Sequence, residues 1–520
     1  MKRPPAILFA AVSGILATVS CNNSPDNTAS IAAMDLKRGE ILTCGPEDGE
    51  LFGTVSFTAS IPDKVKTDFN TGVALLHSFE YDEAEKMFAK VVDACPDCAM
   101  AYWGIAMANF HPLWAPPSDE ELKKGSQAVE IGRSIKNKTE READYINAIG
   151  KFYENASTLG HRPRVLEFEK AMENIYTKYK DDKEANILYA LALAAAADPK
   201  DKTYSRQKKA LDILLPIYDK EPLHPGLAHY IIHNADNPEL ANIALNAARK
   251  YASIAPASAH AQHMPSHIFT RLGYWDDAIK SNQVSVDAAK CHAQKAKIDG
   301  HWDEEWHGID YLVYAYLQKG DNANAKQWVD YVNAADKVYP ANFKVAYAFA
   351  AVPARYYLEN KMWKEASALP VHPAGFPWKK FPWQESITHF ARVLGFVNTN
   401  DIANAKKELN TLNNLYDTLK VMKDKANEAS QVLVQIKTSD AWIHFKEHKN
   451  EEALKLMTEA ADMEDGMEKH PVTPGEIIPA RELLAEMYLQ MGKPADARAA
   501  FDATLKTHPN RRNALKRISA

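Results

Sequence analysis

Six histidines fall within the 48 residues from His224 to Arg271, and their spacing is regular. His229 and His233 recur as His263 and His267; each pair is four residues apart and the pairs are 34 apart. Residues four apart on a helix lie one turn above each other, with Cβ atoms about 6 Å apart, so each pair can share one ion. Asp236 extends the first row as i, i+4, i+7, and His260 precedes His263 by three. Imidazole nitrogens with a nearby carboxylate form a donor set for zinc, copper or non-haem iron, and residue types alone do not choose among these metals. The expected ligands are therefore His229, His233, His263 and His267, with Asp236 and His260 beside them. Two other uses of the same residues stay open: a polar groove for an anionic or peptide ligand, and a structural role within the helices. Asp236 has its own second reading, because it precedes Asn237-Pro238 and can order the start of a helix there.

Other residues flank this group. His224 precedes Pro225 and is placed before the helix, as a weaker candidate. Pro265 falls inside the second histidine row, where it removes a backbone hydrogen bond and kinks the helix, re-aiming His267 or relieving crowding. His301, Glu304, Glu305, His307 and Asp310 form a second polar group. His307 and Asp310 are candidates for supporting the ligands or for acid/base work, against the plainer reading of a solvated loop.

The elements that position these residues repeat with the same period. Pro222 and Pro256 are 34 apart, as are Ala210, Ala244 and Ala278. That period fits a helix-turn-helix unit that buries its apolar face only by stacking on neighbours. Packed helices lie about 8–10 Å apart, so rings from adjacent units can meet between them. Further units read NTGVALLHSFEYDEAEKMFAKVVDACPDC from about Val65, with Gly72 at a helix-packing position, and PARELLAEMYLQMGKPADARAAFDATLKTHPNRRNAL at the other end. The last, with Leu484, Ala485, Tyr488, Gly492, Ala497, Phe501 and Pro509, resembles the tetratricopeptide-repeat consensus. The resemblance covers most of residues 65–515 and implies an all-α helical solenoid whose first helices line a concave face. It says little about function, because the scaffold hosts many.

The expected organisation is a signal segment at 1–20, a tether and irregular lead-in at 21–60, and N-terminal repeat-like helices at 61–200. Central repeats with the histidine-rich groove come next at 201–340, then C-terminal repeat-like helices at 341–520. Lys2-Arg3, the apolar run Ala6 to Val19 and Cys21 resemble a bacterial lipoprotein signal, which implies lipid on Cys21 at the cell envelope; simple export is the alternative. The Pro-rich LPVHPAGFPWKKFPWQ is read as a loop packed on the solenoid, either filling a gap or covering the groove. In an exported chain Cys95 and Cys98 read as a local disulfide, with Cys44 as another partner and Cys291 as a linker or buried thiol. A net charge of −6 argues against a nucleic-acid surface, and no P-loop, GxSxG, HExxH or EF-hand pattern is present. The leading reading is an exported repeat protein whose pocket binds a transition metal, a small ligand or a partner. A metal-dependent enzyme and a metal-free protein adaptor are the alternatives.

Overall fold

The computed structural model describes Met1 and residues 27–46, 49, 51–113 and 116–519. The signal segment, Cys21 and the beginning of the tether lie outside the described residues. The fold is all-α: consecutive helices from Asp63–His77 to Arg512–Ser519 pack on one another, and the described residues add one small pairing of His301–Trp302 with Val338–Tyr339. No described helix is long and apolar enough to cross a membrane.

Several helical pairs are built the same way. A first helix such as Pro265–Leu272, Asp303–Lys319 or Ala480–Gln490 ends at a residue with positive φ, and the second helix starts two or three residues later. Gly273 (φ 70°), Gly320 (φ 86°) and Gly492 (φ 73°) fill that left-handed position, where glycine has no Cβ to clash. Close approach between helices also selects glycine. A Cβ on Gly72 or Gly104 would lie 2.9 or 2.4 Å from the Phe88 ring, so the expected packing role of Gly72 holds. One continuous apolar core runs from Met34 to Met487, and a smaller cluster around Phe501 closes the C-terminal end.

The lead-in lies against the helices. Thr28–Ala33 is helical, and from Met34 onward the chain is a strap laid across the helices. Leu36, Phe52 and Phe57 are buried, Thr54 N–H donates to the Leu223 carbonyl at 3.0 Å, and Ala257 N–H to the Leu51 carbonyl at 3.1 Å. A Cys44–Cys291 disulfide fastens the strap, while Cys95–Cys98 forms the local bridge. Cys291 is thus neither free nor in a linker, since it lies within the helix Trp275–Lys295.

Two loops matter for the central helices. Residues 369–381 pack as filling, with Phe376 against Phe349 at 5.5 Å, and Pro382 already begins the next helix. The segment that covers the histidine region comes from further along the chain. Residues 466–479, rich in proline, reach back to the central repeats: Lys469 Nζ donates to Asp236 at 2.9 Å, Tyr311 OH to the Thr473 carbonyl at 2.9 Å, and Arg355 to the Gly475 carbonyl at 2.7 Å.

Candidate metal centre

The helix Pro225–Ala235 carries His229 and His233, and its Pro225 occupies the first turn, where a missing N–H costs nothing. The second row is split at Met264 into Ala259–His263 and Pro265–Leu272, the break expected from Pro265. His307 lies on Asp303–Lys319, which is helical and buried rather than a solvated loop. That stretch is buried nearly all round from Trp306 to Leu317, the pattern of a helix enclosed on every side.

The histidines do not form one four-ring cluster. They form two groups of three, His229 with His233 and His260, and His263 with His267 and His307. In the first, His229 Nε2 lies 2.9 Å from His233 Nε2 and 3.1 Å from His260 Nε2. In the second, His263 and His267 bring their Nε2 atoms to 3.0 Å, and the His307 ring centroid is 4.0 Å from that of His263. The groups are neighbours, with 6.3 Å between the ring centroids of His233 and His267. Helix rotation decides this grouping. His260 and His307, placed by spacing as accessories, complete the two sets.

Outer hydrogen bonds fix which nitrogen carries the proton. His229 Nδ1 donates to the His77 carbonyl at 2.6 Å. His263 Nδ1 donates to Asn282 Oδ1 at 2.7 Å; the Asn282 amide nitrogen is committed to the Ala278 carbonyl, so Oδ1 is the acceptor. His267 Nδ1 donates to Asp236 Oδ2 at 2.9 Å. With Nδ1–H spent on an acceptor, each neutral ring turns an Nε2 lone pair inward. Two such lone pairs 3.0 Å apart, as in His263 and His267, repel unless a cation lies between them. A shared proton is disfavoured by burial, which lowers the proton affinity of His229, His233, His263 and His307 well below the ordinary imidazole value and that of His267 to about 4. The donor set therefore fits a transition metal: neutral imidazoles, aligned by carbonyl and carboxylate partners.

Asp236 is not in the ligand row. The helix ends at Ala235, and Asp236 turns out of it (φ −73°, ψ 58°) to hold the back of His267 together with Arg271 and Lys469. Asp310 is not at the centre either. Its carboxylate pairs with Arg355, and burial, partly offset by that guanidinium, raises its pKa to about 6. The spacing of the turn glycines Gly273 and Gly320 puts His307 in register with His260, a signal that the irregular linker between the units obscures.

A third cluster, His77, Glu184 and His224, lies behind the first triad. Here both imidazole Nε2 atoms point at one carboxylate, at 3.0 Å each, and Tyr230 OH lies 3.0 Å from His77 Nδ1. Both rings donate to Glu184 without an ion, while the buried His224 Nδ1 has no partner among the described residues, and the cluster reads as a clamp that fixes the His77 carbonyl under His229. His224 is the residue immediately before the helix, as spacing placed it.

Two cavities reach the centre. One of about 460 Å³ ends at His260 and Glu304, and one of about 200 Å³ ends at His233 and Asp236.

Residues 480–511 match the tetratricopeptide-repeat family model. No curated protein sequence matches the chain. Among solved structures, the human IFIT1 dimer with m7Gppp-AAAA is similar at TM-score 0.37 and 10% identity, over 88% of this chain and 94% of that one. The TPR domain of P58(IPK) is similar at TM-score 0.19 and 14% identity, over 88% of this chain and 96% of that one. Repeats of this type serve other proteins as interaction scaffolds.

Proposed function

We propose that this tetratricopeptide-repeat protein holds two transition-metal ions side by side, in a centre suited to chemistry on a small ligand. His229, His233 and His260 would hold one ion, and His263, His267 and His307 the other. The observation that carries this reading is the convergence of Nε2 atoms at 2.9–3.1 Å with the Nδ1 atoms of His229, His263 and His267 tied to acceptors behind them. Three protein ligands per ion leave a coordination position to a ligand or water, the arrangement of reactive rather than closed structural sites. Such ions supply Lewis-acid chemistry, and copper or iron redox chemistry as well. The chain's own part is to orient the rings, keep them neutral and admit ligand through the two cavities.

Elemental analysis of protein purified from its native host tests the reading. About two ions per chain are expected from the two triads. His260→Ala and His267→Ala should each lower the content to about one, and the double variant to none, with helicity by circular dichroism unchanged. Full metal content in the double variant would remove the assignment.

We also propose that the protein is exported and anchored by lipid on Cys21. Cys21→Ser is expected to move it from the membrane fraction to the soluble fraction; retention on membranes would mean that Cys21 is not the anchor.

A further inference from the structure

The larger cavity contains groups that holding metal does not require. Its walls are aromatic. Phe79 and Tyr81 stack at 5.4 Å, Trp302 stacks on His292 at 4.0 Å, and Phe343 adds a further face. Acids outnumber bases on its walls, six against the two ammonium groups of Lys37 and Lys344, although burial raises the Glu80 pKa to about 7 and Lys86 pairs with Glu83 at 2.8 Å. Both lysines are already engaged: Lys37 pairs with Asp82, and Lys344 with Asp303 and Glu304. At the inner end Glu80 accepts from Ser258 Oγ at 2.6 Å. Low-dielectric walls concentrate the resulting negative field inside the chamber. Aromatic faces in a negative field suit an organic cation, which gains from both. A volume of about 460 Å³ is that of a small-molecule chamber.

Phe79 ties the chamber to the centre. Its ring covers the first triad, with centroids 4.4 Å from His229, 5.5 Å from His233 and 5.7 Å from His260. It does so from the turn position that Gly273, Gly320 and Gly492 fill in some repeats and Lys361, Asn400 and His448 in others, with φ 59°. The turn places an aromatic floor between cavity and histidines.

We propose that this chamber binds a small organic cation, an amine carrying an aromatic or apolar body, and delivers it against Phe79 beside the first triad. The proposal deepens the metal-centre reading by naming the ligand class. It rests on that reading only for the chemistry after binding, because the chamber is formed by side chains and not by ions.

Calorimetric titration of the full chain with phenethylamine, 2-phenylethanol and 3-phenylpropanoate tests it, on protein stripped with chelator and on protein reloaded with zinc. Phenethylamine is expected to bind stripped protein at least about tenfold more tightly than the neutral alcohol, with the carboxylate weakest, and the margin to narrow on zinc loading because the ions offset the negative field. Trp302→Leu should lower amine affinity about tenfold and Trp302→Phe should restore it, without a change in melting temperature. Equal affinities for the three probes, tighter binding of the carboxylate, or no binding of the amine to stripped protein would overturn the proposal. The two readings fail separately: two bound ions with no preference for the amine sinks only the ligand class. A preserved preference in a protein that takes up no metal sinks only the centre.

Discussion

Replacing Asp236 with alanine is expected to cost about 3–5 kcal/mol of stability and to weaken metal retention at the second triad. The carboxylate, 8% exposed, is the common acceptor for His267 Nδ1 at 2.9 Å, Arg271 Nε at 2.8 Å and Lys469 Nζ at 2.9 Å. Removing it leaves two buried cations without their main counter-charge, the circumstance in which breaking a buried pair is most damaging. It also frees the His267 ring to rotate or change tautomer, and losing such an outer partner lowers metal affinity by about 10- to 100-fold. Asp236→Asn separates the two effects. Its carbonyl can still accept from His267, so metal retention should suffer less than in Asp236→Ala, while the loss of charge still destabilises. Urea unfolding measures the first effect and competition with a chromogenic chelator the second. A wild-type chelator curve for Asp236→Ala would show that Asp236 does not orient a ligand.

Arg511→Met is the second large effect, expected to loosen the C-terminal repeat from the rest of the protein. Arg511 has no exposed surface and holds two buried carboxylates, Glu359 at 2.6 Å and Glu482 through both of its oxygens. Glu359 also receives Gln318 at 3.1 Å and Asn513 at 2.7 Å, so one guanidinium joins three helices and the final turn. Deleting the cation leaves an uncompensated pair of acids, a loss of about 3–5 kcal/mol. In a repeat protein that loss is felt locally, as fraying of the end units. Amide hydrogen exchange across 480–519 should accelerate about a hundredfold or more, since each factor of ten corresponds to about 1.4 kcal/mol. Arg517→Ala is the control. Its pairing with Glu486 at 2.9 Å is 41% exposed on the arginine side, and solvent-screened pairs of this kind are worth less than about 1 kcal/mol. Indistinguishable exchange in the two variants would refute the role given to Arg511.

What the sequence discloses about the centre is what is local in the chain. Period and turn residues are carried within one unit, so the helices, the paired histidines and the break at Pro265 are all readable there. Which rings meet is not local. His260 joins His229 and His307 joins His263 because of how three helices are rotated against one another, and the cluster of four expected from spacing divides accordingly. The placement of Asp236 depends on whether the helix passes Ala235, and a single residue beyond its end converts an expected ligand into the partner of one. Asp310 stands in register with His263, yet Arg355, 45 residues away, claims it. Phe79 and the loop 466–479 act on the centre across intervals of 150 residues or more, which no periodicity encodes.

That last loop has a consequence for how the protein comes to exist. Lys469 meets Asp236 across 233 positions, so the second triad gains its cover from residues that a ribosome, or an export channel passing the N-terminus first, delivers late. Repeats of this kind can build up from one end, but this centre cannot mature by such accretion. Its histidine helices are synthesised before the segment that covers them. A deletion ending at residue 465 would therefore leave a half-dressed centre rather than a shorter version of the same protein.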